Sequence, residues 1–201
     1  MRARSVLAIT ALLILLLNSL SCGRNTGRDD EVAVIETNYG RIVIEFFPQY
    51  APKHVENFKT LAEQGFYDGT RIHRIVKDKS GRSIAVQGGD PNTISGDPST
   101  WGRGQPAQPT VKAEFSTNLK HERGILSAAR RDDVNSATSQ FFICVAPMPQ
   151  FDGNYSIFGK VVEGMNVVDS IARAPMWPNT DRPLDPVTVS KVYLTRRTEV
   201  K

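Results

Sequence analysis

A mainly β domain with two helices is the fold class this sequence predicts, and three observations predict it. Short runs rich in Val, Ile and Phe recur between clusters of Gly, Pro, Asn and Asp. Only two stretches carry apolar residues at helical spacing. No internal repeat and no second domain stand out in 201 residues, a length that suits one compact core. Many short strands with so few helices argue for a closed or sandwiched sheet.

The elements follow in order. Val32-Ala33-Val34-Ile35-Glu36-Thr37 and Arg41-Ile42-Val43-Ile44-Glu45-Phe46 flank Asn38-Tyr39-Gly40, a hairpin signal. Pro52 opens a helical segment with Val55, Phe58, Leu61 and Ala62 on one face, and Gly65 closes it. Strands are predicted at 71–76, 85–88, 125–129, 141–145 and 157–162, a second helix at 166–172, and a last strand at 187–194. The stretch from 88 to 110 is rich in Gly, Pro, Ser and Thr, too polar to be core.

The N-terminus carries a targeting signal. Arg2 and Arg4 form a positive start, and Val6 to Leu17 is almost continuously apolar, broken only by Thr10. That run is short for a membrane span and suits a signal-peptide core. Asn18-Ser19-Leu20-Ser21-Cys22 then resembles the lipobox of bacterial lipoproteins, although Ser19 stands where that pattern usually has Leu. The resemblance implies cleavage before Cys22 and lipidation of that cysteine. The predicted organisation is a signal peptide at 1–21, a flexible tether at 22–31, a folded domain at 32–195 and a short tail at 196–201. Export to a bacterial cell envelope, with a lipid anchor in the membrane and the domain facing the periplasm or the outside, is the expected location. With Cys22 acylated, Cys144 has no disulfide partner, and its apolar surroundings make it a small buried hydrophobe.

Composition excludes several functions. The formal charge of +4 falls once Arg2 and Arg4 are removed, and no basic run with interleaved aromatics marks a nucleic-acid face. His54, His73 and His121 lie far apart with no cysteine or carboxylate at metal-ligand spacing. Gly88-Gly89 and Gly102-Arg103-Gly104 do not sit in a strand-to-helix phosphate motif. No Gly-x-Ser-x-Gly elbow supports a hydrolase, and Asp132-Asp133 beside Arg130-Arg131 reads as a solvated charged loop.

One ordered set of blocks does stand out. Phe66-Tyr67-Asp68-Gly69-Thr70-Arg71-Ile72-His73-Arg74-Ile75-Val76 is followed by Gln87-Gly88-Gly89-Asp90. Gly124-Ile125-Leu126-Ser127-Ala128-Ala129, Thr138-Ser139-Gln140-Phe141-Phe142-Ile143, Phe151-Asp152-Gly153 and Phe158-Gly159-Lys160-Val161 come later. In this order and at these separations they resemble the cyclophilin family of peptidyl-prolyl cis-trans isomerases, from about Val32 to Leu194. The resemblance implies a closed eight-stranded antiparallel β-barrel capped by two α-helices, with a surface groove for the substrate proline. It maps the main catalytic arginine onto Arg74 and a supporting glutamine onto Gln87, which would orient the guanidinium or hold substrate backbone. It also implies a substrate-binding set of Ile84, Ala85, Ala129, Arg130, Gln140, Phe142, Gln150, Phe151 and Tyr155, with Phe142 as pocket floor and Phe151 as wall.

The sequence departs from that pattern at several places. Ile84-Ala85 stand where the family has Phe-Met, which predicts a wider pocket or one partly refilled by Phe151. Ile72 replaces a Phe, and Lys77 to Ser83 form a longer polar loop than the family's Pro-Gly turn. Arg130 replaces Asn, Gln150 stands where many eukaryotic members have Trp, and Tyr155 where they have His. The expected activity is rotation of X-Pro bonds in exported proteins without cofactor or metal, by a monomer. Proline-containing polypeptides are its expected partners. The alternative is a proline-peptide-binding chaperone module with weak catalysis.

Overall fold

The computed structural model describes residues 30–105 and 107–200. The signal segment, Cys22 and most of the tether lie outside the described residues. Strands β1 (Glu31–Thr37) and β2 (Gly40–Phe46) form the predicted hairpin, with Thr37 opposite Gly40. Gly40 has φ +129°, and a Cβ there would lie 2.9 Å from Val167, so both conformation and space call for glycine.

Helix α1 (Pro52–Glu63) follows, with Pro at its first turn and Gly65 in the left-handed region just past its end. Ala51 offers it no side-chain cap. Instead the Glu114 carboxylate accepts from the N–H groups of Lys53 (3.1 Å) and His54 (3.0 Å) and from His54 Nδ1 (2.7 Å). A residue 60 positions away thus satisfies the orphan donors of the helix.

The remaining strands are β3 (Arg71–Ile72), β4 (Arg74–Lys77), β5 (Ser83–Gly88), β6 (Ile125–Ala128), β7 (Phe141–Cys144), β8 (Ile157–Glu163) and β9 (Val187–Arg196), with α2 (Met165–Ala172) between β8 and β9. They form one sheet in the order β3-β9-β1-β2-β8-β6-β7-β5-β4. Every ladder is antiparallel.

This corrects the expected closed barrel of eight strands. The predicted strand at 71–76 breaks at His73: Arg71 and Ile72 pair with β9, whereas Arg74 to Lys77 pair with β5. The ends of the sheet are therefore adjacent along the chain but share no ladder. Two boundaries also move. β5 begins at Ser83, and β9 runs to Arg196, opposite Glu31, so the predicted tail starts inside the sheet.

One face of the sheet and both helices enclose the main core, which includes Ile35, Ile44, Phe58, Tyr67, Ile75, Leu126, Ile143 and Ile171. Phe58 stacks on Tyr67 at 4.9 Å between ring centroids, and its edge contacts Phe141 at 5.6 Å. The Tyr67 hydroxyl donates to the Ser139 carbonyl, so burying this phenol strands no polar group.

Candidate active site

The run Phe141-Phe142-Ile143-Cys144 is apolar at every position because β7 is buried on both faces. Phe141 and Ile143 enter the main core, while Phe142 and Cys144 join a second cluster with Ile84, Ala85, Ala146 and Met148. Burial pushes the Cys144 thiol up to about 12, which leaves it an inert packing group.

Strand register then assembles the site. Arg74 lies opposite Gln87 and Val76 opposite Ala85 across β4 and β5, while Gln87 lies opposite Phe142 and Ala85 opposite Cys144 across β5 and β7. Directly paired residues share a face, so Arg74, Val76, Ala85, Gln87 and Phe142 all project outward together. A 3₁₀ turn at Pro149–Phe151 folds Phe151 over them. Phe142 meets Phe151 edge-on at 5.7 Å and Tyr155 edge-on at 5.6 Å, and Phe151 and Tyr155 are 4.5 Å apart. The result is a pocket of about 280 Å³ with an apolar floor and a polar rim.

Eight predicted residues line this pocket: Arg74, Ala85, Gln87, Ala129, Arg130, Phe142, Phe151 and Tyr155. Three do not. Ile84 is out of register with Ala85 by one position and stays packed in the second cluster. Gln140 lines a small adjoining pocket instead. Gln150 faces solvent, because the tight turn that points Phe151 inward points its neighbour out. Val76, Gly102 and Met148 complete the lining and were not predicted.

The polar contacts do not give Gln87 the first of its two expected roles, orienting the Arg74 guanidinium. Its amide Nε2 donates to Gln140 Oε1 at 3.0 Å, and Gln140 Nε2 donates to the Gly102 carbonyl at 3.1 Å. Arg74 is held by Asp181: its Nε donates to Asp181 Oδ2 at 2.9 Å, with both side chains about half exposed. The Asp181 carbonyl also accepts from the Ile75 N–H at 2.7 Å, which docks the segment between α2 and β9 against β4. Nothing in the local sequence Thr180-Asp181-Arg182 marks that role.

The 88–110 loop reaches the site through Asp90. Its fully buried carboxylate accepts from the N–H groups of Asn92 (3.0 Å) and Gly102 (2.6 Å), so Gly102 is pinned at the pocket edge. Arg130 is not a freely solvated charge. Its guanidinium lies 4.6 Å from the Tyr155 ring centroid and donates to the carbonyls of Asn154, Arg131 and Asp132.

Under the floor, His121 stacks on Phe142 at 6.0 Å. Its Nδ1 meets Asp152 at 3.0 Å and its Nε2 meets Ser127 Oγ at 3.2 Å. Ser127, His121 and Asp152 have the order of a hydrolytic triad, but Ser127 is fully buried and its hydroxyl also reaches the Ser156 carbonyl. No substrate can approach it. The network braces the aromatic floor, and burial lowers the His121 pKa despite the opposing pull of Asp152.

Comparison with known proteins agrees with this geometry. Residues 32–194 match the family model described as cyclophilin type peptidyl-prolyl cis-trans isomerase. Peptidyl-prolyl cis-trans isomerase-like 1 of Neurospora crassa is 37% identical over 169 residues, covering 83% of this chain and 96% of that protein. Peptidyl-prolyl cis-trans isomerase CYP18-1 of Arabidopsis thaliana is 39% identical over 162 residues, covering 80% and 93%. Some relatives are much longer: the chain spans 24% of the mouse peptidylprolyl isomerase domain and WD repeat-containing protein 1, at 36% identity. Among solved structures, a Cryptosporidium parvum cyclophilin type isomerase crystallised in the presence of the dipeptide Ala-Pro superposes with a TM-score of 0.71 at 30% identity, covering 82% of this chain and 98% of that one. With the family model matched over residues 32–194, and an arginine at the rim of a pocket floored by Phe142 and walled by Phe151, this chain belongs to the cyclophilin-type peptidyl-prolyl cis-trans isomerases.

Proposed function

We propose that this chain is an exported, lipid-anchored isomerase that speeds the folding of envelope proteins, with Arg74 as its catalytic residue. An X-Pro bond resists rotation by about 18–20 kcal/mol because its amide is resonance-stabilised. Twisting removes the resonance and makes the prolyl nitrogen a better hydrogen-bond acceptor. The Arg74 guanidinium carries five donors in a planar fork. Its Nε is committed to Asp181, so the Nη donors serve the twisted amide or the adjacent carbonyl. The proline ring packs on Phe142 and Phe151, with Ala129 and Tyr155 at the sides, and that grip gives the leverage for rotation. Gln87 and Gln140 hold client backbone through their amides, and Arg130 borders the groove. Catalysis is differential stabilisation of the twisted state, with no covalent step and no proton transfer.

The single observation that carries this reading is a half-exposed guanidinium at the rim of an aromatic-floored pocket. The Ala-Pro dipeptide named with the Cryptosporidium structure supports a proline ligand of the same kind. Ala85, which stands where the family has a large side chain, favours a second reading in which the pocket binds proline segments and turns them over weakly. Cis-to-trans rates on Ala-Pro peptides, measured by exchange NMR, separate the two: catalysis is expected, and binding without acceleration would leave only the chaperone.

The anchor rests on the apolar run before Cys22, and no helix among the described residues is long and apolar enough to cross a membrane. Labelled fatty acid should enter the wild-type protein, and Cys22→Ser should abolish labelling and release it from membranes. An unlabelled, fully soluble wild-type protein would end the lipoprotein reading and leave the isomerase intact.

A further inference from the structure

A second trough, of about 410 Å³, runs from the proline pocket past Trp101 and shares Arg74, Gln87 and Gly102 with it. A proline held inside a polypeptide must leave its pocket as chain on both sides. The trough is an open path for one of those directions, so its lining meets client residues next to the proline.

That lining is basic and under-satisfied. Arg74, Arg103 and Arg182 face a single carboxylate, Asp181, and Arg74 already holds it. The Arg182 guanidinium lies between two indoles, 5.6 Å from the Trp101 ring centroid and 5.4 Å from that of Trp177. Stacking fixes its plane but meets none of its N–H donors, and its buried Nε has no hydrogen-bond partner among the described residues. Asp97 feels the Arg182 charge, but its carboxylate accepts from the Ser99 N–H and it does not line the trough. The exposed Arg103 guanidinium has no hydrogen-bond or ion-pair partner among the described residues. His73 lines the trough with both ring nitrogens unpaired among the described residues, and burial lowers its pKa against the pull of Asp90.

We propose that this trough is a client subsite for an acidic side chain carried close to the target proline, with Arg103 and Arg182 as its counter-charges. A carboxylate laid against the stacked Arg182 edge meets the planar fork that such donors bind best. The inference rests on the isomerase reading and names the class of client that reading leaves open: X-Pro segments bearing Asp or Glu on the Trp101 side.

The test is a peptide panel in which Glu, Gln or Lys is placed singly at each of three positions on either side of an Ala-Pro core. Turnover and binding are both measured, and each variant is read as its Glu-to-Lys ratio against its own Gln peptide, so that any general loss cancels. We expect Glu to exceed Lys by about tenfold at positions on one side of proline at low salt, as two part-exposed charge contacts allow. The ratio should fall below about twofold in 0.5 M salt, where screening is short-ranged. Arg182→Gln should lower it, and so should Arg103→Gln, which leaves the indole stack untouched. Gln peptides that are turned over or bound with no charge preference at any position would overturn this inference alone. A preference that survives both substitutions would do the same, and peptides neither bound nor turned over would overturn the isomerase reading with it.

Discussion

Asp181 is the residue whose removal most sharply tests how Arg74 is held. Asp181→Ala deletes the carboxylate that accepts from Arg74 Nε, while its backbone carbonyl remains to dock on Ile75. Both side chains are 48% exposed, so the pair adds little to stability, at most about 1 kcal/mol. Its worth lies in order. A freed arginine must be immobilised again each time a twisted amide forms, at roughly 0.5–1.5 kcal/mol for a long side chain. That predicts a loss of about twofold to tenfold in kcat/KM, mostly in kcat, with far-UV circular dichroism unchanged. Asp181→Asn, whose amide oxygen still accepts a hydrogen bond, should lose less. Exchange NMR on an Ala-Pro peptide gives the rates, and a double-mutant cycle gives the coupling: in an Arg74→Ala background, Asp181→Ala should cost nothing further. The opposing view is that Asp181 merely drains charge from Arg74. Faster turnover in Asp181→Ala would prove it, and equal losses in both backgrounds would refute positioning altogether.

Three further outcomes follow from the same structure. Arg74→Ala should keep the fold but lose about tenfold to a hundredfold in kcat/KM, roughly 1.4–2.7 kcal/mol, and Arg74→Lys should recover little because it lacks the planar fork; near-normal rates in both would remove Arg74 from catalysis. Burial lowers the pKa values of His54, His73 and His121 below their ordinary 6.5, so the unfolded chain takes up protons first; the melting temperature should fall as pH drops from about 7 to 5, while turnover stays flat from about pH 6.5 to 9, and a bell-shaped rate profile would contradict this. Glu114→Ala should destabilise the domain by about 2–4 kcal/mol in denaturant melts, since it uncaps α1 and strands the buried His54 Nδ1; a change below about 0.5 kcal/mol would show that water replaces the carboxylate without cost.

What could be read from the chain and what could not divides along sequence distance. The hairpin, both helices and the site strands were legible because periodicity is local: Arg74, Ala85, Gln87 and Phe142 fall on one face as soon as three short strands pair in register. Closure of the sheet was not, since only tertiary pairing shows that the strand through His73 changes neighbours. Asp181 and Arg74 are 107 positions apart, and Asp181 lies in a polar segment whose composition reads as a turn. That Gln87 does not orient the Arg74 guanidinium has the same origin. Its pairing opposite Arg74 invites a contact between the two side chains, but a neutral amide competes poorly for a guanidinium against a carboxylate within reach. Once the segment before β9 brings Asp181 to that edge, Arg74 turns to it and Gln87 is left to bond Gln140. Gln140 in turn holds the Gly102 carbonyl, so the amide chain displaced from the arginine becomes the strap that sets the far edge of the pocket.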